Sequence, residues 1–206
     1  MSPIVGVILS YLAGSIPSAY IAGRLRGVDL RKHGSGNLGA TNVVRVLGPK
    51  IGGVVFVADL LKGFLPVYFL PGYTASSMLP SEVLALVYGA AAILGHVKPI
   101  FLLGRGGGKG VATASGVFLA LAFVPMLIAE IAWITVFYFT RYVSLASLVG
   151  AAILPVAIIV WSRDPRSPVF IASLIIAAFV FWTHRANIGR LRRGEEHRFV
   201  KKESAT

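Results

Sequence analysis

Cysteine is absent, and acidic residues are scarce: 8 Asp and Glu stand against 20 Lys and Arg in 206 residues. Without cysteine there is no disulfide scaffold and no thiol nucleophile. The absence fits either redox compartment and does not decide location. Charged residues of both signs make up only 14% of the chain, against roughly 25% in a soluble domain. With 56% hydrophobic residues, a disordered or collagen-like chain is also excluded. What remains is an excess of base, net +12 at pH 7. Such an excess suits a nucleic-acid-binding surface or a membrane protein whose cations crowd onto one side.

The placement of charge separates these two. Residues 3–23, 64–81, 83–95, 110–129, 131–140, 143–162 and 167–183 contain no Asp, Glu, Lys or Arg. A bilayer core of about 30 Å needs about 20 apolar helical residues. Segments 3–23, 51–70, 82–100, 142–161 and 168–183 answer to that requirement, and 111–140 exceeds it, with Pro125 at its centre to end or kink a helix. So many apolar runs leave too little polar chain to cover them as buried core helices. Lys and Arg mark cytoplasmic loops. Residues 24–50 carry net +5, 98–109 net +3 and the tail from Arg185 net +4, whereas 71–81 hold no base. The N-terminus is therefore expected outside and the C-terminus in the cytoplasm, which requires an odd number of spans. Two short, tilted spans broken near Pro125 give seven; five follow if one later run fails to cross. The expected fold is an all-α polytopic membrane protein with seven transmembrane helices. It is read as one domain over 1–206 with a basic cytoplasmic tail over 185–206. The first run lacks a basic n-region and a small-residue cleavage site, so it reads as an uncleaved span. No internal repeat is visible.

The cytoplasmic loops carry the chemistry. Gly34, Gly36 and Gly39 match G-x-G-x-x-G, and Asp59 follows 20 residues later. No strand pattern precedes them and Asp59 lies inside an apolar run, so a dinucleotide site is rejected. The loop still has the composition of an anion site. Glycines let backbone N–H groups approach an anion, and Asn37, Thr41 or Asn42 can cap or open a short helix whose N-terminus favours phosphate. Arg45 shares a helix face with Thr41 and Asn42 and can grip phosphate bidentately. A plain turn between helices is the alternative. The second cluster, Gly104-Arg-Gly-Gly-Gly-Lys-Gly110, lacks the Ser or Thr that follows Lys in a Walker A loop. It offers backbone donors at Gly106, Gly107, Gly108 and Gly110, the cation of Lys109 and a following helix N-terminus; a flexible basic hinge is the alternative. In the third cluster, 183–196, Ile188 and Leu191 suggest an amphipathic interfacial helix. Arg192 and Arg193 would meet anionic lipid, a reading that accounts less well for His184 and Asn187. Within the apolar runs, Asp59 and Lys62 are three apart and can pair on one helix face. Glu130 has no oppositely charged neighbour in the sequence, and His96 borders the glycine loop.

Six stretches together resemble the membrane-integral acyl-phosphate:glycerol-3-phosphate acyltransferases of bacteria, the PlsY family. They are Gly14-Ser-Ile-Pro-Ser18, Gly34-Ser-Gly-Asn-Leu-Gly-Ala-Thr-Asn42, Asp59-Leu-Leu-Lys-Gly63, Gly95-His96, Gly106-Gly-Gly-Lys-Gly-Val-Ala-Thr113 and His184-Arg-Ala-Asn-Ile-Gly-Arg-Leu191. They run from the first span to the tail. One departure is visible: the family has Gly-Thr-Glu where this chain has Gly194-Glu195-Glu196.

The resemblance implies acyl transfer from acyl phosphate to the 1-hydroxyl of glycerol 3-phosphate. Lysophosphatidic acid and phosphate are the products, at the start of bacterial phospholipid synthesis. It implies an enzyme of the bacterial inner membrane with its active site at the cytoplasmic face. Membrane lipids surround it, with no cofactor, no metal, no nucleic acid and no obligate protein partner. Ser35, Gly36, Asn37, Thr41, Asn42 and Arg45 are assigned to one polar pocket with Lys109. Residues 106–110 should meet the acyl-phosphate group, with His96 beside them, and Asn187, Arg190 and Glu196 should hold the acceptor or close the site. A His-x4-Asp motif is absent, since Leu38, Phe101, Gly189 and Lys202 stand five residues after the four histidines. Direct attack of the acceptor hydroxyl on the acyl carbonyl is therefore expected, assisted by the donor's own phosphate, with Ser35 and His184 orienting the hydroxyl. Two rivals are a small-anion transporter or channel and a CoA-using acyltransferase of the same fold. The transporter would want a polar path through the spans and often an inverted repeat.

Overall fold

A backbone in hydrocarbon must satisfy its own N–H and C=O groups, so apolar runs of this length become helices. The computed structural model describes residues 1–75 and 79–199, and every regular element among them is helical. The last residues of the expected basic tail, 200–206, lie outside the described residues, as do 76–78 of the expected external link. The chain forms two compact units that meet in sequence at Phe123 and Val124.

The first unit holds α1 (Pro3–Ser15), α2 (Ser18–Leu25), α3 (Ala40–Leu47), α4 (Pro49–Phe69), α5 (Ser81–Val97) and α6 (Val111–Leu121), with short 3-10 turns at Leu30–Lys32, Leu70–Tyr73 and Ile100–Leu102. The segment expected as one helix over 3–23 is broken at Ile16 and Pro17. A residue before proline is pushed out of the α region, and Ile16 has ψ 113°. The second unit holds α7 (Phe123–Thr140), α8 (Val143–Ser162), α9 (Pro168–Thr183) and α10 (Arg185–Arg192). The break inside 111–140 falls at Ala122 (φ −146°, ψ 66°), not at Pro125. Pro125 is the third residue of α7, where an N–H donor would have no intrahelical partner, so the proline opens a helix instead of interrupting one.

Five stretches are long and apolar enough to cross a bilayer: Pro3–Leu25, Pro49–Tyr73, Ser81–Leu102, Phe123–Thr140 and Val143–Ser162. α9 and α10, bent by 59° at His184, make a sixth if the pair is one broken span. α6 has 11 residues, about 16 Å of helix. The protein is thus an all-α, multi-helix membrane protein.

Within the first unit α1 packs on α5, α4 on α6, and α3 on α4. Lipid tails are as apolar as leucine, so these contacts depend on close packing between helices. Glycine supplies the close approach. A Cβ on Gly95 would stand 2.8 Å from the Ser15 nitrogen, and one on Gly116 would stand 2.9 Å from the Phe64 nitrogen. Gly14 lies in the same way on the Ala92 backbone, and Gly63 on the Thr113 backbone. In the second unit α8 packs on α9 and α10 touches both. The Trp133 indole N–H donates to the Ser147 hydroxyl at 3.2 Å, joining α7 to α8. Gly116→Val should destabilise the first unit by about 1–3 kcal/mol through overpacking. A thermal melt of the detergent-solubilised protein measures it.

Candidate functional site

The loop between α2 and α3 is built around one buried amide. Asn42, in the first turn of α3, is 1% exposed. Its Oδ1 accepts from the Ser35 N–H at 2.8 Å, while its Nδ2 donates to the carbonyls of Leu30 (3.2 Å) and His33 (3.1 Å). Gly34, at φ +61°, lies directly against Asn42 Oδ1, where no side chain fits. Leu30 and Val43 seal the loop from beneath as part of a small apolar core. Asp29 opens the 3-10 turn by accepting from the Arg31 N–H at 3.1 Å and holds the Arg31 guanidinium through two bonds of 2.9 Å. Those bonds from Arg31 hold its carboxyl down to about 2. The cap of α3 is Gly39; Asn37 precedes it, and Thr41 and Asn42 are the second and third helical residues. Arg45 follows one turn later, half-buried, and the Ser35 side chain is exposed.

The loop between α5 and α6 turns on glycine. Gly104, Gly106 and Gly110 all have positive φ, 70°, 74° and 82°. Gly110 caps α6, with half-buried Lys109 before it. The two loops meet at Gly106, where a Cβ would lie 3.5 Å from Leu38 and 3.6 Å from the Arg31 side chain. Gly107 passes against the carbonyls of His96 and Val97, and Gly108 lies on the edge of the His96 imidazole. A narrow cleft opens here, lined by Ser18, Leu38, Asp59, Lys62, His96 and residues 106–108. In its wall the Lys62 ammonium lies 2.7 Å from Asp59 Oδ1, the pairing expected from the three-residue spacing. It also donates to the Ile16 carbonyl at 2.9 Å, at the break between α1 and α2. His96 faces the pair, its Nδ1 3.7 Å from Asp59 Oδ1.

In the second unit the third cluster closes on Glu196, which is 7% exposed. Oε1 accepts from Ser144 (2.9 Å) and from Asn187 Nδ2 (2.7 Å), and Oε2 accepts from Arg190 Nε (2.7 Å). Burial alone raises this carboxyl, but the donors on Asn187, Arg190 and Ser144 outweigh it and hold it below its usual value. His184 is buried at the bend between α9 and α10. Its Nδ1 donates to the Val180 carbonyl at 2.8 Å. Glu195 is exposed and pairs with Arg193 at 2.8 Å.

Among the described residues no group of three His, Cys, Asp or Glu has the arrangement of a metal site. Sequence reasoning did not anticipate Ser18, Ser144 or the approach of His96 to Asp59. Ser144 sits one residue inside an apolar helix and meets a carboxylate 52 residues away, a pairing without local signal. Because the folded carboxyl of Glu196 is depressed, its stabilising bonds are complete at neutral pH. They are lost as pH falls below the ordinary glutamate range toward the folded value. Amide protection over 187–199, taken relative to the intrinsic exchange rate at each pH, should therefore fall on acidification, and Glu196→Gln should show the lower protection already at pH 7.

A sequence profile described as glycerol-3-phosphate acyltransferase matches residues 4–194. The glycerol-3-phosphate acyltransferase of Aquifex aeolicus is 45% identical over 193 residues, 94% of this chain and 97% of that protein. Two crystal structures of PlsY, an integral membrane glycerol 3-phosphate acyltransferase, superpose at 38% identity. The glycerol 3-phosphate form has a TM-score of 0.86 and covers 96% of each chain. The lysophosphatidic acid form has a TM-score of 0.84 and covers 96% of this chain and 95% of the other. Matched along almost its whole length in sequence and in fold, the chain belongs to the PlsY family of membrane-integral glycerol-3-phosphate acyltransferases.

Proposed function

We propose that the chain transfers an acyl group from acyl phosphate to the 1-hydroxyl of glycerol 3-phosphate, releasing lysophosphatidic acid and inorganic phosphate. The observation that carries this reading is the meeting of two glycine-rich basic loops at Gly106, beside a cleft in the first unit. Both substrates carry phosphate, and each loop has what phosphate needs: backbone donors, a helix N-terminus and a cation, Arg45 on one and Lys109 on the other. The glycerol 3-phosphate and lysophosphatidic acid forms of the solved relative fit an acceptor and a product of the same class.

In the proposed reaction the acceptor oxygen attacks the acyl carbonyl, the new ester C–O bond forms and the bond to phosphate breaks. The hydroxyl proton passes to the phosphate of the donor. Phosphate is already a good leaving group, so positioning and charge stabilisation supply most of the rate. Lys109 with residues 106–108 and 110 holds the acyl phosphate. Ser35, Gly36, Asn37, Thr41, Asn42 and Arg45 shape the polar pocket. Ser35 orients the hydroxyl. The site belongs at the cytoplasmic face of the bacterial inner membrane, where excess base steers dianions.

Lys109→Ala and Arg45→Ala should stay in the membrane and lose transfer by about 100-fold or more. Purified protein should release one phosphate per ester formed from acyl phosphate and give no product from acyl-CoA. Full activity of both variants, activity with acyl-CoA, or an acyl-enzyme trapped by labelled donor alone would overturn the reading.

The seven-span topology with an external N-terminus belongs to the same proposal and is supported by the segregation of Lys and Arg. Because the chain has no cysteine, single reporters can be introduced without background. An impermeant maleimide added outside should label Gly72→Cys and Asp164→Cys but not Gly27→Cys. Protection of Asp164→Cys would indicate five spans.

A further inference from the structure

The reaction proposed above makes no use of Asp59 or Lys62, yet these ions are 2% and 7% exposed inside the apolar helix α4. Burying two charges costs several kcal/mol per ion, and a well-packed apolar pair would join the helices at least as well. Their surroundings point to a task. Two donors of the Lys62 ammonium are committed, one to Asp59 Oδ1 at 2.7 Å and one to the Ile16 carbonyl at 2.9 Å. The same Oδ1 of Asp59 faces His96 Nδ1 at 3.7 Å; His96 is 6% exposed and its Nδ1 has no hydrogen-bond partner. The far edge of that imidazole bears on Gly108, and the His96 carbonyl bears on Gly107. A continuous path thus runs from the α1–α2 break through Lys62, Asp59 and His96 to the glycine loop, and all of it borders one cleft.

We propose that Asp59, Lys62 and His96 form a positioning group that sets the backbone of 106–108 for the phosphate of the acyl donor. The Asp59 carboxylate faces the imidazole at 3.7 Å, and the imidazole bears on the loop at Gly108. The three act as positioning residues, not as catalytic ones, and the proposal rests on the reading of 106–110 as the donor's phosphate site. Lys62 also anchors the group to the carbonyl that the break at Pro17 leaves accessible, so the loop is registered against α1 as well as α4 and α5.

The test is steady-state kinetics of the purified full chain, with acyl phosphate and glycerol 3-phosphate varied independently. Asp59→Asn, the neutral pair Asp59→Asn with Lys62→Met, and His96→Ala should each lower kcat/KM for acyl phosphate about 10- to 100-fold, the scale of a misplaced binding group. The KM for glycerol 3-phosphate should stay within about twofold of the wild-type value. His96→Gln, which returns an amide toward Gly108, should recover most of what His96→Ala loses. The neutral pair guards against a fold lost to an uncompensated lysine. Unchanged kinetics, or an equal rise in both KM values, would overturn the proposal, as would loss of every variant from the membrane, which would make the group a folding element. Lys109→Ala, assayed alongside, separates the two readings. If it is inactive while the Asp59 and His96 variants are normal, only the positioning role fails; if it is fully active, the donor site itself is wrongly placed.

Discussion

A lysine ammonium inside an apolar helix must be met by opposite charge and by acceptors, or it does not stay charged. Lys62 meets this condition with Asp59 on its own helix and with the Ile16 carbonyl on the preceding one. That second bond exists because Pro17 interrupts the first apolar stretch and leaves a backbone carbonyl outside the helical ladder. The kink of α1 into α2, the placing of α4 beside it and the approach of α5 through His96 all converge on the same few atoms. The first unit is thus organised around a desolvated ion pair as well as around its apolar faces.

Glycine has two separate tasks in this unit. Gly14, Gly63, Gly95 and Gly116 are helical and bring backbones together where any side chain would overlap a neighbouring strand of main chain. Gly34, Gly106 and Gly110 lie in loops and supply backbone conformations that other residues rarely adopt. The first set sets the spacing of α1, α4, α5 and α6, and the second sets the direction of the N–H groups between them. Phosphate chemistry needs both, because donors hold an anion well only when the scaffold beneath them does not give.

Most of the architecture was legible in the pattern of charge. Each expected span became helix, with 3–23 and 111–140 broken into two, and the spacing of Asp59 and Lys62 announced their pairing. The break near Pro125 was legible too, but its site was not: the helix ends at Ala122, and the proline takes the first turn of the next helix, where it costs nothing. At the site, the glycine clusters announced the loops, while their internal bonding stayed hidden. Asn42 was read as a residue of a phosphate pocket; in the fold its amide bonds Leu30, His33 and Ser35. Ser144 and the facing of His96 onto Asp59 depend on contacts between distant segments, for which a single sequence has no marker.

The position of the pair on one helix has a consequence for how the protein is made. Asp59 and Lys62 are one turn apart on α4, so the two charges can neutralise each other as soon as that helix forms. The segment can then enter the bilayer as a nearly uncharged unit before any later segment has been synthesised. His96 arrives afterwards on α5, and the glycine loop follows it. The pair is thus complete within one segment, whereas the histidine that faces it belongs to a later one.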